Sequence, residues 1–187
     1  MTITYVVLAV VALVLFWAVG MYNSLIRTRQ HVKESWSAID TELKRRYDLI
    51  PNLVETVKGY ATHESETLEA VIQARNNAVA SKGTPGQQAQ DENMLVGALR
   101  QLFAVVEAYP DLKANESFLH MQQELTVTED RIQAARRFYN ANVRTLNTKI
   151  EVFPSNVIAS MFGISQAEFF EVEDAAEREA PKVDFAN

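Results

Sequence analysis

The sequence predicts an all-α protein in which an N-terminal transmembrane helix continues into an elongated, antiparallel, up-and-down helical bundle. Three observations lead to this prediction. The chain begins with a long apolar run, glycine and proline number only 6 and 5 in 187 residues, and apolar residues recur three and four positions apart through most of the remainder. A chain of this length builds one soluble domain once the apolar run is set aside.

The apolar run extends from Ile3 to Met21 and contains no charged residue. At the rise of an α-helix, a segment of this length spans about 28 Å, which is close to the thickness of the hydrocarbon core of a bilayer. We therefore assign residues 1–21 to a transmembrane anchor. The alternative is a cleaved signal peptide with a cut site near Ala18-Val19-Gly20, but the run lacks the basic region that precedes such peptides.

Cationic residues lie on one side of the apolar run. Arg27, Arg29 and Lys33 follow it, and no lysine or arginine precedes it. The positive-inside rule then predicts a single-pass protein with its N-terminus outside and its bundle in the cytoplasm. Trp17 and Tyr22 lie near the end of the run, where aromatic rings favour the headgroup level, so Trp17, Tyr22, Arg27 and Arg29 are the predicted membrane-interface residues.

Residues 22–171 are predicted to form the helical bundle. No proline or glycine interrupts residues 22–50, so the membrane helix is expected to continue into the first bundle helix. Pro51 lacks a backbone donor and disfavours helical geometry at Ile50, which predicts a kink or short break there, followed by a second helical stretch up to Val79.

The turn at Lys82–Gly86 ends this second stretch, and Pro110-Asp111 closes a third helix. A fourth helix is predicted from Phe118 to Ile150, with a length of about 50 Å, and one more short turn at residues 157–161. Short connections between long helices favour antiparallel, coiled-coil-like packing.

The C-terminal residues carry most of the net charge of −6. Residues 168–187 contain seven acidic side chains against Arg178 and Lys182, which leaves the rest of the chain nearly neutral. We expect residues 172–187 to form a flexible acidic tail, because they contain little apolar surface to bury. A nearly neutral body without a basic stripe gives no footprint for nucleic acid.

Residues that could support catalysis or metal binding do not form a recognised pattern. The absence of cysteine excludes disulfides and thiolate sites. His63-Glu64 with Glu66 is the nearest approach to a metal site, but it lacks the further ligands that zinc requires, and a polar helix terminus explains it better. We therefore expect no enzymatic activity, no cofactor, no metal and no small-molecule substrate.

One charged segment, Lys44-Arg45-Arg46-Tyr47-Asp48, has two interpretations. Arg45, Arg46 and Tyr47 are candidates for contact with lipid headgroups, for self-association or for contact with a partner protein. The structural interpretation is that at least one of these charges is simply solvated, because successive side chains on a helix point in different directions. Other polar residues on or beside the apolar stripes could form buried ionic pairs that set helix register. These are Arg75, Glu107, Glu129, Arg131, Arg136 and Asn140.

Several long sequence blocks resemble the LemA family of bacterial membrane-anchored helical proteins. The blocks are Tyr22-Asn23, Trp36-Ser37 with Asp40, residues 43–54, Gly59-Tyr60, His63-Glu64, residues 107–115, residues 135–140, Phe153-Pro154, residues 169–171 and residues 181–185. The chain departs from the family pattern at Leu146 and at Ile164-Ser165.

This resemblance implies an N-out anchor in the bacterial inner membrane and a cytoplasmic bundle of long antiparallel helices. It implies no catalytic residues, and it associates some relatives with shaping or invaginating membranes. The functional prediction is therefore a non-enzymatic membrane scaffold or remodelling protein, whose partners are the bilayer, other copies of itself and possible other membrane proteins. An accessory subunit of a membrane-bound enzyme or protease is the alternative, and a cryptic hydrolase is a third possibility.

Overall fold

The computed structural model describes residues 1–171, which fold into helices with no strand and confirm the all-α prediction. The helices of this part of the chain are α1 (Thr2–Lys58), α2 (Ser65–Ala80), α3 (Pro85–Val106), α4 (Pro110–Lys113), α5 (Glu116–Glu151) and α6 (Ser155–Met161). The predicted acidic tail, residues 172–187, lies outside the described residues.

Helix α1 is uninterrupted from the apolar run to the far end of the bundle. Its 57 residues extend over about 85 Å at helical rise. Its N-terminal part is long and apolar enough to cross a membrane, and none of that apolar window is buried against the rest of the structure. The prediction that the apolar helix continues into the first bundle helix is therefore confirmed.

The predicted kink or short break at Pro51 is not a break, because α1 continues through this proline and ends at Lys58. Proline cannot donate to the carbonyl four residues earlier, which belongs to Tyr47. The Nε of Arg75, on α2, donates to this carbonyl at 3.1 Å and replaces the missing hydrogen bond. The break comes instead at residues 59–64, and the second helix begins at Ser65.

Helices α1 and α5 pack antiparallel along the length of the bundle. The contacts between Thr28 and Lys149, Trp36 and Tyr139, and Arg46 and Glu129 show the opposite directions of the two helices. Helices α2 and α3 form a second antiparallel pair on the half of the bundle farthest from the apolar run. Its ends are marked by hydrogen bonds of Tyr109 to Glu64 and of Gln88 to the carbonyl of Ala78.

Two helix starts are fixed by side-chain caps. The Thr84 hydroxyl accepts a hydrogen bond from the amide of Gln87, whose side chain accepts from the amide of Thr84, so α3 begins with a capping box. The Asn115 side chain accepts from the amide of Phe118 at 3.0 Å at the start of α5. These two caps therefore fix where α3 and α5 begin.

The chain returns along α5 after α6 as an extended segment, which we call the C-terminal strap (residues 164–171). The Asn147 side chain exchanges two hydrogen bonds of 2.9 Å with the backbone of Ala167. The Asn140 side chain, two turns earlier on α5, does the same with Phe170 at 3.0 and 3.1 Å. Phe170 is fully buried, with its ring against Trp36.

Candidate functional site

A buried ionic cluster lies in the distal half of the bundle, at the level where α1, α3 and α5 meet. Arg46, on α1, is 3% exposed and binds two carboxylates. Its two terminal nitrogens donate to Glu92, on α3, which is fully buried, and to Glu129, on α5, at 2.7 Å. The guanidinium thus joins three helices that are far apart in sequence.

Neutral groups complete this cluster. The Tyr47 hydroxyl donates to Glu92, and the Gln88 side chain donates to Glu92 at 3.0 Å and lies 3.1 Å from the Tyr47 hydroxyl. Burial, followed by the nearby charge of Glu92, raises the pKa of Tyr47 far above its ordinary value. Tyr47 therefore remains a neutral hydrogen-bond donor at physiological pH and is not available as a base.

The chemistry of the cluster is that of a structural ion network. Both carboxylates accept hydrogen bonds from the arginine, which compensates the removal of Arg46 and Glu92 from water, while the Glu129 side chain stays 37% exposed. A buried charged group tolerates little displacement, because a shift of one helix turn would leave it without a partner. The cluster therefore specifies the relative register of α1, α3 and α5.

A groove opens between α3 and α5 beside the cluster. It has a volume of about 510 Å³, and its apolar lining includes Val96, Leu99, Phe103 and Leu125. Arg46 lines the same groove, and its buried Nε has no hydrogen-bond partner among the described residues. The groove therefore combines these apolar side chains with polar and charged ones, Gln122, Glu129 and Asp130 among them.

The structure separates the three predicted partner-contact residues. Arg45 is 41% exposed and pairs with Glu124 at 2.7 Å, so its predicted role in partner contact stays a prediction. Arg46 and Tyr47 are buried inside the bundle. Their side chains take part in the ionic cluster, and their predicted role in partner contact stays a prediction.

The other polar residues beside the apolar stripes have varied roles. Glu129 forms the expected buried ionic contact with Arg46, while Arg75 binds a backbone carbonyl and Asn140 holds the strap. Glu107 pairs with Lys113 at the surface. Sequence reasoning missed Glu92, although it continues the Leu95, Leu99 and Leu102 stripe at helical spacing. A carboxylate on that stripe was the available signal.

The predicted membrane-interface residues lie on α1 between Trp17 and Arg29, a length of about 18 Å at helical rise. Trp17 is half-exposed, and the Tyr22 ring lies 4.5 Å from that of Phe162, just after α6. Arg27 and Arg29 are exposed to solvent. The structure brings Trp17 and Tyr22 close to α6, a contact that the sequence did not predict, whereas the interfacial role of all four residues stays a prediction.

Histidines and acidic residues are dispersed. No group of three or more metal-ligating side chains in residues 1–171 has the geometry to hold a metal ion. His63 and His120 are exposed, and His31 contacts only its helical neighbour Glu34, at 3.2 Å. In the described part of the chain, the buried polar contacts are concentrated in the ionic cluster and in the hydrogen bonds by which Asn140 and Asn147 hold the strap.

Comparison with known proteins places this architecture in a family. A family model described as the LemA family matches residues 35–185. The chain belongs to the LemA family. The match covers the distal bundle, the ionic cluster and the strap, and it confirms the resemblance found in the sequence.

Individual relatives agree with this membership. Protein LemA of Metamycoplasma hominis is 30% identical over 162 residues, which cover 85% of this chain and 73% of the relative. Magnetosome protein MamQ 2 of Paramagnetospirillum magneticum is 28% identical, covering 91% of this chain and 73% of the relative. Magnetosome protein MamQ of Magnetospirillum gryphiswaldense is 26% identical, covering 83% and 66%.

LemA-family membership and the apolar start of α1 together indicate a membrane-associated protein. Neither the family description nor the names of these relatives denotes an enzyme. The departures from the family pattern preserve apolar packing, because Leu146 is buried in the main core and Ile164 is buried beside α6.

Proposed function

We propose that this LemA-family chain is a non-enzymatic, membrane-anchored scaffold that organises or remodels the membrane through self-association or through binding of other membrane proteins. The observation that carries the proposal is the continuity of α1. The same helix supplies the apolar segment and one long side of the bundle, without a flexible linker between them.

This continuity has a mechanical consequence. From Tyr22 to Lys58 the helix extends about 55 Å beyond the apolar run, and α5 packs along it. A force or a contact at the distal end is therefore transmitted to the lipid-embedded end through a packed helix pair. A rod of this kind suits a protein that holds partners at a fixed distance from a membrane.

The proposed orientation is N-out with a cytoplasmic bundle, in the bacterial inner membrane. Arg27, Arg29 and Lys33 support it, since moving each cation outward against a potential of 100 mV costs roughly 2 kcal/mol. A reporter that is active only in the cytoplasm, fused after Asn187, is expected to give signal. Digestion of a C-terminal tag by protease added to intact spheroplasts would contradict this orientation.

In-cell photo-crosslinking tests the scaffold function. A photoreactive residue is placed at Gln122, which lines the α3–α5 groove, and as a matched control at Gln73, an exposed glutamine on α2. We expect crosslinks to copies of the chain or to membrane proteins, identified by mass spectrometry. A protein that is strictly monomeric at high concentration in detergent and crosslinks to nothing in cells would refute the scaffold.

An accessory subunit of a membrane-bound enzyme or protease is the second candidate. The concentration of negative charge in residues 168–187 favours it, because such a segment suits docking to a basic surface on a catalytic partner. Pull-downs with the full chain and with residues 172–187 deleted distinguish the two functions. Loss of a single enzyme partner on deletion supports the accessory role, whereas unchanged self-contacts support the scaffold.

The non-enzymatic part of the proposal has its own test. Metal analysis of the purified protein and broad phosphatase and peptidase assays are expected to give no signal. Reproducible hydrolysis that is abolished by one point substitution would overturn it.

A further inference from the structure

The segment after α5 exposes an unusual amount of apolar surface. We call residues 152–162, which include α6, the elbow. Its exposed apolar side chains include Phe153, Val157 and Met161, which are 81%, 49% and 70% exposed. Val157 and Met161 are four residues apart on α6 and so lie along one side of it, and Phe162 adds a further half-exposed ring. No charged residue occurs between Glu151 and Glu168.

The opposite side of the elbow fixes its position along α1. Ile158 and Ala159 are buried against Leu25, and Ala18 and Met21 pack onto the same cluster. Ala18 and Met21 belong to the apolar run itself. The elbow therefore lies beside the last turn of the apolar run, with its exposed side continuous with the apolar surface of α1.

Polar contacts hold the C-terminal end of α5 beside Ser24 and Thr28, one to two turns beyond the apolar run on α1. The Lys149 ammonium donates to the hydroxyl oxygens of Ser24 and Thr28 at 3.0 and 2.7 Å. It also lines a cleft of about 420 Å³ that extends along α1 past Met21 to Trp17. A cation at one end and apolar side chains at the other match the change of polarity between lipid headgroups and acyl chains.

Two occupants could cover the exposed apolar side of the elbow: a bilayer or a second copy of the chain. The position of the elbow favours the bilayer, because a segment packed on Ala18 and Met21 reaches lipid as soon as the apolar run is inserted. The charge-free stretch from Val152 to Ala167 agrees with this depth, since charged groups are costly there.

We propose that the elbow inserts into the interfacial layer of the membrane leaflet from which α1 emerges, as a second membrane contact of the chain. This inference rests on the membrane anchor of the proposed function. A chain held by a single membrane helix is free to rotate about the helix axis and to tilt. A second membrane contact restricts both motions, in addition to fixing the depth of the chain in the bilayer. The elbow would set both the rotation and the tilt of the bundle relative to the bilayer.

The chain contains no cysteine, so single cysteines place an environment-sensitive fluorophore without background labelling. The full-length protein is reconstituted into nanodiscs with lipids spin-labelled either high on the acyl chain, at the depth expected for the elbow, or near the end of the chain, at the depth of the middle of the apolar run. The elbow positions are Val157→Cys and Met161→Cys. The membrane reference is Val10→Cys, within the apolar run, and the matched exposed apolar controls are Phe138→Cys on α5 and Ile72→Cys on α2.

We expect the spin-labelled lipid to quench most of the emission at residues 10, 157 and 161, with blue-shifted spectra, and to leave residues 138 and 72 unquenched. Quenching at residue 10 but not at 157 and 161 would overturn the elbow contact and leave the anchor intact. An unquenched residue 10 would refute the anchor and, with it, the inference.

A dilution arm separates lipid from a second copy. With one protein per nanodisc, quenching at residues 157 and 161 is expected to persist. The proposal would be overturned if the spin-labelled lipid did not quench residues 157 and 161 and their blue shift disappeared on dilution. That result would show that another copy covers the elbow.

A charge variant provides an independent readout. Met161→Glu is expected to abolish quenching at residue 157, because the carboxylate resists entry into the interface, while Phe138→Glu leaves it unchanged. Circular dichroism is used to check that both variants remain folded. Quenching at residue 157 that survives Met161→Glu would contradict insertion.

Discussion

The distal and membrane-proximal halves of the bundle are stabilised in different ways. In the distal half, α2 packs on α1, α3 packs on α2 and α4 packs on α5, and a buried arginine with two carboxylates joins α1, α3 and α5. In the proximal half, α1 and α5 are accompanied by α6 and the strap, which two asparagine side chains hold through backbone hydrogen bonds.

This difference indicates a division of roles. The distal half buries its charges in an arrangement that penalises any change of register. The proximal half has no comparable buried ion pair among the described residues and leaves apolar side chains exposed beside the apolar run. We therefore expect substitutions in the distal cluster to act on global stability and those in the proximal half to act locally.

The largest expected effect comes from Arg46→Ala. The substitution leaves fully buried Glu92 without its cation, and removal of one partner of a buried ion pair costs about 3 to 5 kcal/mol. Chemical unfolding of the full-length protein in detergent, followed by circular dichroism, measures this loss.

Arg45→Ala is the matched control, because the neighbouring arginine pairs with Glu124 at a partly exposed position and is expected to contribute only about 0.2 to 1 kcal/mol. The double variant Arg46→Met with Glu92→Leu is expected to recover much of the loss, since it removes the two buried charges and leaves only the carboxylate of Glu129, whose side chain is 37% exposed. Equal effects of Arg46→Ala and Arg45→Ala would show that the buried cluster contributes no more to stability than a partly exposed ion pair.

A smaller and local effect is expected from Asn140→Ala. This substitution removes both hydrogen bonds to Phe170, at a cost of about 1 to 3 kcal/mol. Release of the strap should expose Trp36, whose ring lies 5.4 Å from that of Phe170. We expect faster hydrogen exchange in residues 164–171 and a red shift of tryptophan emission, with unchanged exchange in α3.

Asn77→Ala, at an exposed position on α2, is the control for this experiment. If exchange accelerates throughout the bundle in Asn140→Ala, the strap contributes to global stability and the proposed division between the halves is wrong.

The sequence predicted the long elements because their apolar spacing is regular. The stripes on α1, α3 and α5 appear in the structure, and the turn predicted at Lys82–Gly86 lies at residues 81–84, because Pro85 and Gly86 already belong to α3. Pro51 was misleading for a specific reason. The compensating donor, Arg75, lies 28 residues beyond the Tyr47 carbonyl that it binds, and local propensity contains no information about that contact.

The candidate sites were less predictable because they depend on contacts between distant residues. The Arg45–Tyr47 segment was recognised, but its sequence does not reveal which side chain points inward. The strap was missed because Asn140 and Asn147 bind backbone groups, and such contacts place no constraint on the side chains of Ala167 and Phe170. The elbow was predicted only as a short turn, without its position beside the apolar run.

A double-mutant cycle tests the explanation for the uninterrupted α1. Arg75→Met leaves the Tyr47 carbonyl without its donor and is expected to cost about 1 to 2 kcal/mol. In a Pro51→Ala background the introduced amide supplies the intrahelical hydrogen bond, so the cost should fall clearly below that value. Chemical unfolding of the four proteins measures the coupling, and identical costs in both backgrounds would refute the compensation.

The smallest effect on stability at neutral pH concerns Tyr139 in the proximal half. This effect becomes larger only at alkaline pH. Burial, followed by the charge of Glu168, raises the pKa of Tyr139 from its ordinary value of 10.0 to about 12. Between these values the unfolded chain loses the phenolic proton while the folded chain retains it, so this contribution to stability is present below pH 10 and is lost as pH rises to about 12. Tyr139→Phe should therefore make the loss of stability at alkaline pH less steep than in the parent protein. The substitution also removes the 2.8 Å hydrogen bond to the Glu168 carbonyl, so it lowers stability at pH 7. Phe138→Leu, a non-titrating exposed neighbour, should leave the slope unchanged, and parallel pH profiles for the parent and Tyr139→Phe would show that this phenol does not contribute.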